Sequence, residues 1–163
     1  MLLLNSLTRG AAALIETQIT DFSGYTKIGD MTGNGGLAAA FNQTTVQAGG
    51  SCAAASGACS VGIDFGSAVT ISRFKVWGSS NGGINNDNNI CDLDFKWSDD
   101  NSSYTSIHTH QITNALTNSV TYDTGAFGVT SVAEAHRYWK LFLSRGANTD
   151  AFRVAELEMW SAA

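Results

Sequence analysis

The sequence has few charged residues, and its positive charges do not cluster. Charged residues make up 14% of the 163 residues, and nine Lys and Arg are scattered singly along a chain of net charge −5. A protein that binds nucleic-acid phosphates shows a basic stripe or patch. The composition therefore excludes nucleic acid as the expected partner. Apolar residues make up 44% of the chain, enough for one domain with a buried core.

The sequence also lacks a long apolar run. The N-terminal leucines are interrupted by polar residues, and no basic residue precedes them. Such a segment is too short to span a membrane and lacks the arrangement of a cleaved signal peptide. We therefore expect neither membrane insertion nor signal-directed secretion. We interpret residues 1–35 as an N-terminal assembly arm, with a first strand of the same domain as the alternative. The arm would bind through Leu2, Leu3, Leu4 and Leu7.

Cysteines are scarce, with only Cys52, Cys59 and Cys91 in the chain. An odd number without an export signal does not describe a secreted disulfide scaffold, and the absence of a C-x-x-C pair argues against a zinc ribbon. Cys59 and Cys91 each precede a predicted strand at the same end of the fold, so they could form a disulfide. Cys52 with Cys59 is the competing assignment, and the sequence leaves both open.

Catalytic signatures are absent as well. The chain contains no G-x-S-x-G, H-E-x-x-H, P-loop or dinucleotide fingerprint. Asp99 and Asp100 form a carboxylate pair that we expect to organise a turn. His108 and His110 lie on one face of a predicted strand, a spacing that binds zinc or copper in some proteins, with His136 as a distant third ligand. A solvated or hydrogen-bonded pair is commoner, so we expect no metal site and no enzyme.

The residues that are present favour an all-β fold. Short runs of β-branched and aromatic residues alternate with turn residues, which is typical of a sandwich or barrel. In the run 92–97, Leu93, Phe95 and Trp97 alternate with polar residues, as in a strand with one buried face. The other predicted strands cover residues 61–65, 69–77, 105–112, 119–123, 138–144 and 154–160.

Local patterns predict how the strands at 61–77 are arranged. The apolar phase slips between Ile71 and Phe74, which predicts a β-bulge near Ser72 and Arg73. The short connection 66–68 predicts a hairpin. Because one strand runs up and the next runs down, the start of the first and the end of the second lie at the same end. Loops 43–60 and 79–91 should therefore lie side by side.

Four landmarks in order over residues 38–160 resemble the discoidin domain, also called the coagulation factor V/VIII type C domain, of the galactose-binding-like jelly-roll superfamily. They are Ala38-Ala-Ala-Phe41; Val61-Gly-Ile-Asp-Phe-Gly66 with the apolar run that follows; Phe95-Lys-Trp-Ser-Asp-Asp-Asn-Ser-Ser-Tyr104; and His136-Arg-Tyr-Trp-Lys-Leu141 with Val154-Ala-Glu-Leu-Glu-Met159. The resemblance implies an eight-stranded antiparallel β-sandwich over residues 36–163. It also implies ligand loops gathered opposite the termini and non-catalytic binding of glycans, lipid headgroups or protein surfaces.

The run Asn81–Asn89 is the strongest candidate for a contact surface. Its amides are both donors and acceptors, which suits sugar hydroxyls or a neighbouring subunit, whereas a single carboxylate does not suit calcium. Arg145 offers a planar donor fork, and Trp77 could stack on a sugar ring. An ordinary solvated loop is the alternative. The candidate ligand-binding residues are Trp77, Asn81, Asn85, Asn86, Asp87, Arg145 and Asn148.

The resemblance also bears on metals. Members of this family often bind a structural calcium with a carboxylate after the conserved Phe and with a later Glu, here Glu156. This chain has Asn42 and Gln43 after Phe41, which removes a hard anionic ligand. We therefore expect no cofactor, with a structural calcium as the alternative.

Compact Ser-, Gly- and Asn-rich variants of this fold resemble modules of bacteriophage tails, fibres and head decorations. We interpret the chain as a non-catalytic structural protein located in a phage or phage-like virion and assembled in the host cytoplasm. Its expected partners are other virion subunits, in a homo-oligomer or symmetric array, and a host glycan. The alternative is a free-standing lectin-like or glycosidase-accessory carbohydrate-binding module. A third interpretation is a decoration protein with no ligand.

Overall fold

The computed structural model describes residues 15–33, 35–44, 50–52, 57–79, 83–84, 91–117, 120–125, 134–145 and 152–162. For residues 50–52 and 145 it describes the backbone alone. In these ranges, no helix is long and apolar enough to cross a membrane.

The described residues form ten β-strands and a short 3₁₀ helix, Gly36–Phe41. The strands are β1 (Glu16–Ile19), β2 (Thr26–Gly29), β3 (Gly50–Cys52), β4 (Ala58–Val69), β5 (Ile71–Gly78), β6 (Cys91–Ser98), β7 (Thr105–Ile112), β8 (Thr121–Asp123), β9 (His136–Arg145) and β10 (Phe152–Ala162). The resemblance implied eight strands. The structure has two more within the described ranges, and both β3 and β8 are only three residues long.

The strands form two five-stranded antiparallel sheets. Sheet A has the order β1–β10–β5–β8, with β3 also paired to β10. Sheet B has the order β2–β4–β9–β6–β7. The predicted all-β antiparallel sandwich is therefore confirmed.

The core lies between the inward faces of the two sheets. Phe74 of β5 contacts Phe95 of β6 with ring centroids 4.6 Å apart, and it lies 6.0 Å from the Trp139 ring of β9. All three side chains are fully buried. Burial of each large apolar side chain stabilises the fold by about 1.5–3 kcal/mol. Leu93 and Phe95 point inward while Asp92 is exposed, so the predicted alternation of β6 is confirmed.

The predicted bulge is also confirmed. Arg73 pairs with Trp160 and Ile71 pairs with Ser161, so Ser72 is an extra residue on β5. Its hydroxyl donates to the Trp160 carbonyl at 3.2 Å. The extra residue lets both Ile71 and Phe74 point into the core despite their odd spacing.

The predicted hairpin is wrong. β4 pairs with β2 and β9 in sheet B, whereas β5 pairs with β10 and β8 in sheet A. The connection crosses from one sheet to the other because β4 leaves its register with β9 between Asp64 and Val69. Irregular pairing of this kind lets a chain turn a corner between packed sheets.

The sandwich includes residues that precede position 36. Glu16–Ile19 and Thr26–Gly29 are strands of the two sheets, and Phe22 and Met31 lie in the core. Strands of the sandwich therefore begin before the boundary expected from the sequence. The four N-terminal leucines lie outside the described residues, so the assembly arm stays a prediction.

Candidate functional site

Both described ends of the chain lie at one end of the sandwich. Glu16 of β1 pairs with Ala162 of β10, whereas β10 begins at Phe152 at the opposite end. We call this opposite end the recognition end, defined by Gly78–Ser79, Gly83–Ile84, residues 113–117 and the start of β10. The resemblance implied ligand loops at this end.

Hydrogen bonds hold the chain after β5 against the start of β10. The Ser79 amide donates to the Arg153 carbonyl at 3.0 Å, and the Arg153 amide donates to the Gly83 carbonyl at 3.1 Å. β3 pairs with the same part of β10 through residues 50–52. Segments from loops 43–60 and 79–91 therefore share this end, as the strand directions predicted.

A second connection joins the segments after β5 and β7. The Ile84 and Leu116 backbones exchange two hydrogen bonds, each 2.9 Å long. Both side chains are buried in the core. The two connecting segments are thus anchored to the sandwich by backbone pairing and by apolar burial.

Two glycines make this close approach feasible. A Cβ atom at Gly78 would lie 1.9 Å from the Leu116 carbonyl oxygen, and one at Gly83 would lie 2.3 Å from it. Gly83 also has a φ of +50°, which L side chains rarely adopt. The sequence shows only Gly-Gly before Ile84, and that pair was the available signal for this contact.

The structure describes little of the predicted ligand-binding set. Arg145 ends β9 opposite Cys91, so its backbone lies at the recognition end. Its side chain lies outside the described part of the chain, as do the whole residues Asn81, Asn85, Asn86, Asp87 and Asn148. Their contact role stays a prediction.

Trp77 lies on the outer face of sheet A. Its indole Nε1 donates to Glu158 Oε1 at 2.8 Å, and the Lys75 ammonium lies 4.4 Å from the ring centroid. The ring is half-buried. The indole is therefore already engaged by two neighbouring side chains.

Four other aromatic side chains on or beside the outer faces are covered in the same way. In each case a Lys or Arg lies over the ring, 4.4–5.1 Å from its centroid. A cation in this position is attracted to the ring face and occupies the surface that a sugar would stack on. The pairs are Arg73–Trp160, Lys75–Trp77, Lys96–Phe142, Arg137–Tyr138 and Lys140–Tyr104.

The histidines do not converge on one point. His108 and His110 share the inner face of β7, where His108 Nε2 lies 2.6 Å from the Tyr122 hydroxyl and His110 stacks on the Tyr122 ring at 3.8 Å. Burial, with a contribution from His110, lowers the pKa of His108. His136 lies at the other end of the sandwich, stacked on Trp97 at 3.4 Å. Across the described ranges, no three His, Cys, Asp or Glu residues form a metal-binding group.

Asp100 organises a turn, as the sequence predicted for the carboxylate pair, whereas Asp99 contacts a histidine. Asp100 Oδ1 accepts the amides of Ser102 and Ser103, each at 2.8 Å. These hydrogen bonds, followed by that of Ser98, lower the pKa of Asp100. Asp99 contacts His136 Nδ1 at 3.1 Å through both oxygens.

The cysteines differ in chemical state. Cys59 is disulfide-bonded, whereas Cys91 is a buried thiol outside any disulfide. Cys91 is therefore not the partner of Cys59. The competing assignment, Cys52 with Cys59, is the one that stays open.

Comparisons place this geometry among known folds. No family model and no curated protein match the sequence. The family 32 carbohydrate-binding module of NanJ from C. perfringens, in complex with galactose, superposes with a TM-score of 0.64 and 18% identity over 90% of this chain and 99% of that chain. An F5/8 type C domain from Bacteroides fragilis gives 0.62 and 12% identity over 90% and 97%. The family 32 module of AlyQ, in complex with 4,5-unsaturated mannuronic acid, gives 0.59 and 17% identity over 88% and 97%.

The chain has the discoidin-like fold. At these identities the match concerns the fold, and it confirms the architecture that the four sequence landmarks implied.

The discoidin-like fold raises the question of calcium at Glu156. Calcium takes six to eight oxygen ligands. Here the backbone amides of Gln43, Thr44 and Asn42 hydrogen-bond to the Glu156 carboxyl, and no three His, Cys, Asp or Glu of the described residues form a metal-binding group. The Asn42 side chain accepts the Thr44 amide at 3.0 Å. The described residues therefore do not fit a calcium site.

Proposed function

We propose that the chain is a non-catalytic carbohydrate-binding module that binds a glycan at the recognition end. The observation that carries this proposal is the Ile84–Leu116 pairing, which gathers separate connecting segments opposite the termini. A rigid sandwich that holds polar loops together suits recognition, because ordered loops lose less entropy on binding.

The available polar groups support a sugar ligand. Thr113 and Asn114 are exposed at the recognition end, beside the paired segments. Sugar hydroxyls need both donors and acceptors, and a side-chain amide supplies the two together. The predicted Asn81–Asn89 surface would add further amides at this end.

The outer faces of the sheets are poorer candidates. Five aromatic rings on or beside these faces carry cations, so stacking of a sugar there would first displace a Lys or Arg. The loop end is then the better position for a ligand. Two of the similar structures contain a sugar, galactose in one and 4,5-unsaturated mannuronic acid in the other.

The chemistry of the described side chains supports binding without catalysis. Asp100 organises a turn, His108 contacts Tyr122, and His136 stacks on Trp97.

The similar structures favour a carbohydrate-binding module over a virion component. The three named above are two carbohydrate-binding modules and one F5/8 type C domain. The virion role, the virion location and the symmetric assembly expected from the sequence stay predictions.

A glycan array tests the proposal. We expect the wild-type chain to bind, and the triple variant Asn85→Ala, Asn86→Ala, Arg145→Ala to lose about tenfold or more in affinity, since each lost hydrogen bond costs about 0.5–1.5 kcal/mol. The matched control, Ser67→Ala with Ser103→Ala, changes exposed residues at the opposite end and should bind as wild type does. Absence of binding by the wild-type chain would reject the proposal. Unchanged binding by the triple variant would show that the glycan binds at a different site.

A further inference from the structure

A cavity of about 220 Å³ lies beside β1 on sheet A. Its wall combines two carboxylates, two amides and a hydroxyl with two apolar side chains, and no Lys or Arg of the described ranges contributes to it. The residues are Gln18, Ile19, Thr20, Phe22, Gln43, Glu156 and Glu158.

The cavity follows from a gap in strand pairing. β1 pairs with residues 159–162 of β10, and β3 pairs with residues 152–154. Among the described strands, none covers residues 155–158 on that side. The backbone of 42–44 approaches this gap and hydrogen-bonds to Glu156.

Glu156 is the unusual group in the wall. The residue is 2% exposed, and its Oε2 has no hydrogen-bond partner in the described part of the chain. Burial raises the pKa of its carboxyl to about 8, although the amides of residues 42–44 oppose the shift. A buried carboxyl oxygen without a hydrogen-bond partner is costly, so it marks a place where a polar partner is missing.

Glu158 adds a second acidic group. Its Oε1 accepts the Trp77 indole at 2.8 Å, and it is half-buried. Its cross-strand neighbour Lys75 is directed over the Trp77 ring, with the ammonium 4.4 Å from the centroid. Lys75 therefore offsets the negative charge of Glu158 on the outer face of sheet A, although Lys75 does not line the cavity.

The ligand group that binds to the Glu156 carboxyl must be one that needs only a few hydrogen-bond acceptors. Calcium would need six to eight oxygens, whereas an ammonium group is satisfied by two or three hydrogen bonds. The volume of the cavity is larger than an ammonium group alone would fill. The remaining amides and hydroxyl suit hydroxyl groups, and Ile19 with Phe22 offers an apolar surface.

We propose that this cavity binds a small polyhydroxylated ligand that carries a protonated amino group, of about the size of one sugar ring. The ammonium donates to the Glu156 carboxyl, which ionises as the ligand binds, and Glu158 adds electrostatic attraction. Gln18, Thr20 and Gln43 bind the hydroxyls. This site is separate from the recognition end, and it does not depend on glycan binding there.

Calorimetry with the full chain tests the proposal with two probes. Glucosamine and glucose share a ring and differ at the amino group. We expect glucosamine to bind with one site per chain and glucose to bind about tenfold more weakly or not at all, because a hydrogen bond to a charged group is the stronger kind. Equal binding of both sugars, or no binding of glucosamine, would overturn the proposal.

Variants locate the site. Glu156→Gln preserves shape but cannot ionise when the ammonium binds, so glucosamine affinity should fall about tenfold or more. Glu134→Gln is the matched control, because the Glu134 side chain is 80% exposed at the other end of the sandwich. Both variants should melt cooperatively, which separates lost binding from lost folding. Unchanged affinity in Glu156→Gln, or calcium chloride that stabilises the wild-type chain and blocks glucosamine, would refute the ammonium site.

Discussion

Ile84 and Leu116 exchange two backbone hydrogen bonds of 2.9 Å across the recognition end. Each belongs to a connecting segment outside the main strands, and each buries its side chain in the core. This pairing anchors the two connecting segments to the sandwich. The glycines that flank it decide whether it can form.

Gly78→Ala should break this arrangement. The new Cβ would lie 1.9 Å from the Leu116 carbonyl oxygen and 2.4 Å from its carbon, and a backbone group cannot move away cheaply. Overpacking of this kind costs about 1–3 kcal/mol. Urea denaturation should show the loss of stability, and a glycan array should show weaker binding.

Gly24→Ala is the matched control. No atom lies within 4 Å of a Cβ built at Gly24. Its stability should stay within about 1 kcal/mol of wild type. If Gly78→Ala and Gly24→Ala unfold at the same urea concentration, the close approach of the two segments is wrong.

Features encoded by local periodicity were predictable from the sequence. The alternation of Leu93 and Phe95 located β6, and the phase slip between Ile71 and Phe74 located the bulge at Ser72. Both depend only on which neighbouring residues point inward. The four landmarks, in their order along the chain, then predicted the fold.

Features that depend on distant pairing were not predictable. The short turn 66–68 suggested a hairpin, but β4 and β5 find their partners in different sheets. The cavity beside Glu156 arises because β10 changes partner from β1 to β3, and neither strand is close to it in sequence. No local sequence pattern indicates such a gap in strand pairing. The Asn81–Asn89 surface was predicted from composition, and most of its residues lie outside the described ranges.

The stability of the chain should fall between mildly acidic and mildly basic pH because of Glu156. Burial raises its pKa from 4.5 to about 8, so between these values the folded chain holds a proton that the unfolded chain releases. Stability therefore decreases as pH rises, by at most about 1.4 kcal/mol per pH unit from this group. Urea midpoints from pH 5 to pH 8 should fall for wild type relative to Glu156→Gln. Parallel curves for the two proteins would show that Glu156 ionises normally.

The Arg73–Asp123 ion pair should stabilise the contact of β5 with β8. Arg73 Nε donates to Asp123 Oδ1 at 2.8 Å, and Nη2 donates to the second oxygen. Because the side chains are 31% and 30% exposed, we expect Asp123→Asn to cost about 0.5–1 kcal/mol at neutral pH. A double-mutant cycle with Arg73→Gln measures the coupling directly. A coupling energy of zero would show that the pair is solvent-screened.

This contribution should disappear in acid. The Arg73 hydrogen bond lowers the pKa of Asp123 below its ordinary 3.8. The stabilisation is then complete above that ordinary value and is lost as the pH falls through the folded value. Wild type and Asp123→Asn should therefore converge in stability as the solution is acidified, and a constant difference would contradict the pairing.

Peptide mapping should test the assignment of Cys52 as the partner of Cys59. Cys59 is disulfide-bonded and Cys91 is a buried thiol, so the native chain should react slowly with a thiol reagent. Either bridge leaves one thiol in the unfolded chain before reduction and three afterwards, so a peptide map must show Cys52 joined to Cys59. Cys59→Ala should lower stability by about 2–3 kcal/mol, because a short closed loop is released in the unfolded chain. Cys91→Ala should leave the disulfide intact, and a peptide map that places Cys91 in the bridge would contradict the assignment.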